Sequence, residues 1–350
     1  MTPLRIAVAG AGLIGRRHIE LIQAHPACAL AAIVDPSPVA AATAASAGVG
    51  LFPDLAALFA AMRPDGIVLA TPNPLHVEQA LQCLAAGIPT LIEKPVAHTL
   101  AEGKRLERAA DRSDARLLVG HHRAHSPILA QAREVVREGV LGRLVAVTGS
   151  AMFYKPDDYF DAAPWRREPG GGPILINMIH EVGNLRSLCG EIVAVQAMAS
   201  SAARAFPVED TVAINLKFAS GALGTFMLSD SAASPRSWEQ TSQENAGYPS
   251  YPEEDCYVLA GTRGSLSIPT MRLKTYARDE DRSWWRPFDE STLEPRRGDP
   301  LALQLAHFCD VIAGRAEPLV TVHDGLQNLR ITEAIAEAAS TGEIVRTADA

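Results

Sequence analysis

Three groups of residues in this chain have the types and spacing to do chemistry. The first is Gly10-Ala11-Gly12-Leu13-Ile14-Gly15, which follows an apolar run from Leu4 and opens a helix-period segment ending at Ala24. In that setting the first glycine permits a tight turn, the second lets backbone approach a pyrophosphate, and the third lets helix and strand sit close. The helix N-terminus adds N–H donors and positive dipole for phosphate. The second group is Glu93-Lys94-Pro95, closing the apolar run that begins at Thr90. Ligands of doubly wound sheets sit beyond the carboxyl ends of the strands, so Lys94 is expected to face one. The third is a polar stripe, Asn177, His180, Glu181 and Asn184, on an otherwise apolar helix carrying Ile174, Leu175, Met178, Ile179, Val182, Leu185 and Leu188. Spacings of three, four and seven put the stripe on one face.

Asp35 ends the next apolar run, about 20 residues beyond the last glycine of the loop. A carboxylate there accepts hydrogen bonds from ribose hydroxyls and repels a 2′-phosphate, and no arginine follows it in Asp35-Pro-Ser-Pro, which favours NAD over NADP. A strand-end aspartate that caps a turn is the alternative reading. The expected cofactor contacts are Gly10, Gly12, Leu13, Ile14, Gly15, Asp35, Thr71, Asn73, His76, Glu93 and Lys94. For His76, on the first turn of a helix, a structural role is an equal alternative.

The elements that must position these residues follow from periodicity. Strands at Leu4–Ala9 and at 29–34, 67–70, 90–93 and 117–120 alternate with helices, which predicts a parallel sheet covered on both faces. Asn73 can cap one helix, with Pro74 in its first turn and Gly87 at its end. Thr99 and Glu102 have capping-box spacing at the start of another. The pattern changes after Arg123. A helix starts at Ser126 and Pro127, a long strand covers 144–154, and a helix runs from the glycines 170–172 to near Gly190. Strand signal then dominates to about Tyr276. Val212, Ile214, Leu216 and Phe218 alternate with Ala213, Asn215 and Lys217, so one face is buried. Helices at about 300–313 and 324–340 close the chain. The expected fold is an α/β dinucleotide-binding domain (a doubly wound parallel sheet) over 1–123, with an α+β domain over 124–350 built on a large, open, mostly antiparallel sheet.

Composition limits the function. The chain has 350 residues, more than a single core usually supports. Apolar residues make up 47% and charged residues 21%, as in a folded globular protein. A net charge of −8 without a basic run argues against nucleic acid and anionic membranes as partners. Five scattered cysteines without a Cys-x-x-Cys read as reduced thiols in a cytoplasmic protein. The apolar stretch near the N-terminus has Arg16 and Arg17 after it instead of before it, so it reads as a strand and turn, not a signal peptide. His121, His122 and His125 invite a metal reading, but neighbours on a strand point to opposite faces, and no metal is expected.

Several ordered motifs give a resemblance to a known family. These are the loop 10–15, Thr71-Pro-Asn-Pro-Leu-His76, Glu93-Lys94-Pro95, Arg123 with Pro127, the glycines 170–172 before His180, Gly261-Thr-Arg-Gly264 and the closing Glu333-Ala-Ile. Together they resemble the glucose–fructose oxidoreductase / inositol 2-dehydrogenase / rhizopine-catabolism (Gfo/Idh/MocA) family over essentially the whole chain. The resemblance implies a Rossmann domain (the dinucleotide-binding fold named above), an open C-terminal sheet, and hydride transfer between a nicotinamide and a sugar, cyclitol or related polyol. It implies that Lys94 is the active-site lysine, often before a cis proline bond, that His180 is the catalytic histidine, and that Arg123 lines the substrate pocket. The chain departs from the family where many members carry an aspartate four residues before the histidine. Ile176 stands there, and Asn177 stands one residue later.

His122, Asn177, Tyr154 and Trp165 join Arg123 as expected substrate contacts, because sugar sites combine stacking rings with hydrogen bonders. For the loop holding Tyr154 and Trp165, a surface excursion is the alternative, and the same pair of readings stands for residues 231–255. Three other functions remain open at this point: an NAD-recycling glycosidase, a dehydrogenase of an aromatic-derived dihydrodiol, and a non-catalytic dinucleotide sensor. A homodimer or homotetramer is expected from the family and from a broad sheet with one exposed face.

Overall fold

Six short apolar runs in the first third of the chain become parallel strands: β1 (Leu4–Ala9), β2 (Cys28–Val34), β3 (Gly50–Phe52), β4 (Gly66–Leu69), β5 (Thr90–Glu93) and β6 (Leu117–Gly120). The structure is a computed structural model and describes residues 2–114 and 116–347. The strand order is β3-β2-β1-β4-β5-β6. Because the order reverses between β1 and β4, a crevice is left outside their carboxyl ends. Register brings those ends level: Ala9 pairs with Val34 and Leu69, Leu69 with Ile92, and Glu93 with Gly120. Ile6, Val8, Val68, Leu91 and Leu118 are fully buried, as strands covered on both faces require. Each such side chain stabilises the fold by roughly 1.5–3 kcal/mol.

The chain folds as two compact units, Met1–His122 with Pro300–Leu329, and Arg123–Asp299 with Arg330–Ala350. The sequence reading assigned everything beyond residue 123 to the second unit. The helix Pro300–Ile312 instead packs Leu305, Phe308, Cys309 and Val311 into the core of the first, beside Ile6, Ile22 and Ile33. Periodicity reports that such a helix has a buried face but not which core receives it.

The second unit is built on β7 (Leu144–Met152), β8 (Ile192–Ser200), β9 (Thr211–Phe218), β10 (Leu223–Ser229), β11 (Tyr257–Gly261), β12 (Gly264–Ile268), β13 (Arg272–Thr275), β14 (Asp289–Thr292) and β15 (Val345–Arg346). Their order is β14-β13-β12-β11-β7-β10-β9-β8-β15. Only β7 and β10 pair in parallel, so the sheet is mixed and mostly antiparallel. Val212, Ile214, Leu216 and Phe218 are buried, as their alternation required. The helices Pro127–Arg137 and Ile179–Cys189 cover that face. Ser126 caps the first of them, its side chain accepting from Leu129 N–H at 3.2 Å.

Two local features differ from the sequence expectation. Asn73 does not cap a helix. It begins a 3-10 turn, Asn73–Leu75, that leads into the helix His76–Ala85. The expected single helix after the glycine triplet starts as a π-helical turn, Ile174–Met178, and becomes α-helical from Ile179. The carboxylate of Glu209 accepts from Ile174 N–H at 2.9 Å, satisfying a donor at that helix start. Gly172 makes this approach possible: its φ is +80°, and a Cβ there would lie 2.6 Å from Glu209 Oε1. π turns in helices are frequent at functional sites.

Candidate functional site

On the first unit the glycine loop has the shape that a dinucleotide needs. Gly10 has φ +91°, and a Cβ there would come within 2.5 Å of Ala70 O. A Cβ on Gly15 would lie 1.9 Å from Gly10 O, so only glycine lets the helix Leu13–Ala24 start this close to β1. At Gly12 a Cβ would meet nothing within 4 Å, which leaves backbone open to a ligand. No side chain caps that helix, and Leu13 at its start is 77% exposed, so its first-turn amides can receive phosphate oxygens. These residues fit a dinucleotide cofactor.

Asp35 is committed to local geometry. Oδ2 accepts from Ala11 N–H and Oδ1 from Ser37 N–H, both at 2.8 Å. It therefore fastens the glycine loop to the end of β2 and caps a turn. An ionised carboxylate has about four acceptor sites, so ribose hydroxyls can be served as well.

His76 is enclosed, with Nδ1 2.8 Å from Pro95 O and Nε2 2.8 Å from Thr71 O. Only 1% of it is exposed. Burial, the largest influence, holds its pKa below the usual histidine value, against the two carbonyls and Glu93. The expected cofactor contact is instead a brace between the loops after β4 and β5. Thr71 on the first of these donates to Gln79 Oε1 at 2.6 Å, and Asn73 is half-buried in the following turn.

Lys94 follows the last residue of β5, and its peptide bond to Pro95 is cis. Glu93, 6% exposed, lies 2.7 Å from His18 Nε2 through Oε1 and accepts from Lys94 N–H at 3.2 Å. Burial pushes the Glu93 carboxyl up, but the hydrogen bond and charge of His18, then the charges of His122 and Lys94, outweigh it and hold Glu93 below its ordinary value. Glu93 is thus a buried anion that fixes the backbone carrying Lys94. His122, expected to contact substrate, acts here on Glu93.

On the second unit, Arg123 is 4% exposed, and its guanidinium is taken up by two carboxylates. Nη1 donates to Glu181 Oε1 at 2.6 Å, and Nη2 donates to Glu239 Oε1. Burial opposes its charge, but Glu239 and Glu181 outweigh burial and raise its pKa. Glu181 also accepts from the Tyr257 hydroxyl, and Asn184 Nδ2 donates to the same hydroxyl at 3.0 Å. The expected substrate contact is thus a buried ion whose two terminal nitrogens each bond a carboxylate of the protein itself. The polar stripe divides accordingly. Glu181 and Asn184 belong to this network, whereas half-buried Asn177 accepts from Lys155 Nζ at 2.7 Å. His180, 9% exposed, lies one turn beyond Asn177.

Residues 231–255 are anchored in their first half and exposed over 245–253. The short helix Trp238–Thr241 buries Trp238 and Thr241, and the segment supplies Glu239 and Glu244. Glu244 accepts from Ser126 Oγ at 2.5 Å and Trp238 Nε1 at 3.0 Å, and burial pushes its pKa to about 7 despite these donors. Tyr154 and Trp165 are 58% and 55% exposed, so their rings can meet a ligand.

Sequence reasoning missed Lys155. It is 7% exposed, its Nζ lies 3.6 Å from Asp230 Oδ2, and it sits 4.9 Å from the centre of the Tyr159 ring. Burial lowers its pKa to about 8, against the charges of Asp230 and Glu239. The sequence signal was a lysine inside a run of aromatic residues, Phe153 to Phe160, but periodicity cannot tell a buried lysine from an exposed one. Among the described residues, His121, His122 and His125 do not gather as a metal set. The group whose ligand atoms lie within 4.8 Å of one another is His25, Cys28 and Cys309.

Comparison with known proteins agrees with this architecture. Residues 4–121 match the model described as the oxidoreductase family, NAD-binding Rossmann fold, and residues 129–267 match the GFO/IDH/MocA C-terminal domain. The chain belongs to the Gfo/Idh/MocA oxidoreductase family, and its first unit carries that family's NAD-binding fold. Rhizopine catabolism protein MocA of Rhizobium meliloti is 30% identical over 191 residues, 55% of this chain and 59% of that protein. The match therefore spans somewhat more than half of that relative. Inositol 2-dehydrogenase of Rhizobium meliloti (strain 1021) is 23% identical over 333 residues, 95% of each chain. The WlbA dehydrogenase from Bordetella pertussis, solved in complex with NADH and UDP-GlcNAcA, is 26% identical with a TM-score of 0.78 over 98% of both chains.

Proposed function

We propose that this chain is an NAD-dependent dehydrogenase acting between a secondary alcohol and a ketone on a sugar, cyclitol or related polyol. The observation that carries the reading is Lys94 at the carboxyl end of β5, on the sheet edge that also holds the glycine loop, and fixed there by buried Glu93 and His18. The names of the relatives, inositol 2-dehydrogenase among them, support the substrate class. Gly10, Gly12, Leu13, Ile14, Gly15 and Asp35 would hold the dinucleotide, with Thr71, Asn73 and Glu93 shaping its edge. When bound, the nicotinamide supplies the hydride acceptor. Lys94 donates a hydrogen bond to the reacting oxygen and stabilises its developing negative charge. His180 takes the hydroxyl proton, and Asn177 orients a neighbouring hydroxyl. Tyr154 and Trp165 offer stacking surfaces to the sugar ring.

The proposal includes a cytoplasmic setting, supported by five buried cysteines without a disulfide. No helix among the described residues is long and apolar enough to cross a membrane. It also includes a homodimer or homotetramer, with the outer face of the large sheet as the contact. Met198, Leu223, Met227 and Val258 are exposed there, and Met198 and Met227 both stand opposite Ala213. A light-scattering mass of a single chain would remove the assembly from the proposal.

The function is tested by following nicotinamide absorbance with NAD and, separately, NADP across sugars, sugar acids, cyclitols and dihydrodiols. NADH formation with polyols, and weaker formation of NADPH, is the expected result. Glycoside cleavage without net NADH, or NAD binding without any turnover, would replace the reading.

A further inference from the structure

The second unit contains a buried cation that the proposed chemistry does not use. Lys155 Nζ has three N–H donors. One goes to Asn177 Oδ1 at 2.7 Å, and Asp230 Oδ2, at 3.6 Å, completes an ion pair with the ammonium. Other carboxylates of this unit are already engaged. Asp230 Oδ1 accepts from Arg204 Nε at 3.1 Å, Glu209 from Ile174 N–H, and Glu239 from Arg123. Asp210 accepts from the amides of Ala203 and Arg204, each at 2.9 Å. Further positive charge is close by, because the Arg166 guanidinium lies 3.8 Å from the centre of the Tyr159 ring, the same ring that Lys155 faces. Where Asn177 meets Lys155, the stripe that leads to His180 is neutral. The result is a desolvated ammonium that hydrogen-bonds Asn177, ion-pairs with Asp230 and keeps an N–H donor in reserve.

We infer that Lys155 anchors a carboxylate of the substrate, so that the polyol this chain oxidises is a sugar acid or a comparable hydroxy acid. The inference rests on the dehydrogenase reading above and narrows its substrate class. A bound carboxylate would accept the N–H that Asn177 and Asp230 leave over, in surroundings where a charge-assisted hydrogen bond is strong. The contact with Asn177 puts this anchor beside the face that carries His180.

The test is kcat and KM with NAD for two matched pairs, D-galacturonate against D-galactose and D-glucuronate against D-glucose. The enzymes are the wild type, Lys155→Gln and Lys155→Arg, and a thermal unfolding scan checks that each variant folds. The wild type is expected to prefer the acids. Lys155→Gln is expected to lose roughly 100-fold in kcat/KM on the acids, mainly through KM, while the neutral sugars change by less than about threefold. Lys155→Arg keeps the charge and should recover most of the loss even if the glutamine variant folds poorly. The wild-type KM for the acids should rise above about pH 8, as Lys155 loses its proton among Asp230, Glu239, Arg166 and Tyr159. Equal losses on acids and neutral sugars, or a wild type indifferent to the carboxylate, would overturn the inference and leave the dehydrogenase reading intact. Turnover of neither acid also overturns it, and the dehydrogenase reading then depends on the broader panel.

Discussion

Arg123→Met is expected to destabilise the protein by about 3–5 kcal/mol, because it removes one partner of a buried ion network. The guanidinium is 4% exposed and bridges Glu181, 1% exposed, and Glu239. Its loss leaves Glu181 to the Tyr257 hydroxyl, which donates to its other oxygen. Burial already pushes the Glu181 pKa up against the charge of Arg123, so without the arginine the carboxyl takes a proton to stay in place. Urea unfolding at neutral pH measures the loss. Adding Glu181→Gln to Arg123→Met should recover part of it, because the amide brings no buried charge. Arg123→Lys should not, since one ammonium cannot reproduce a fork with one nitrogen on each carboxylate. A change below about 1 kcal/mol for Arg123→Met would mean that the network is not what holds these elements together.

Lys94→Ala is expected to lower turnover by about 100- to 1000-fold, the cost of removing a positioned donor from a developing oxyanion. The loss should fall on kcat. The glycine loop and Asp35 are built by β1, β2 and the helix Leu13–Ala24, with Asp35 accepting from Ala11 N–H. The backbone at Lys94 is held by Glu93, which is itself held by His18, so truncation beyond Cβ should leave the strand end in place. Cofactor affinity should therefore change little.

The sequence made the parallel sheet legible because its strands are short, fully apolar and separated by helices with recognisable ends. The glycine loop was legible because each glycine answers a separate steric demand, and Gly10 and Gly15 meet theirs through contacts with Ala70 and with each other. The final helices were located correctly, but the unit that receives Pro300–Ile312 was not, since the same apolar face fits either core. The roles of polar residues were harder to read. Arg123 and His76 have types suited to ligands, yet both are consumed by the protein, through Glu181 and Glu239 in one case and two backbone carbonyls in the other. Those partners lie 19 to 116 positions away for Glu181, Glu239 and Pro95, too far for any local pattern to report. Lys155 was overlooked for the same reason: its partner Asn177 is 22 residues on, across the glycine triplet.

The central claim is that Lys94, counted from the sequence among the cofactor contacts as well, acts mainly on the reacting oxygen and contributes little to cofactor affinity. The most direct test measures the NAD dissociation constant and kcat on one preparation of Lys94→Ala, with the panel substrate that the wild type turns over best. The expected result is affinity within about threefold of the wild type and kcat down by at least about 100-fold. Unchanged turnover, or a loss explained entirely by weaker NAD binding, would contradict the claim.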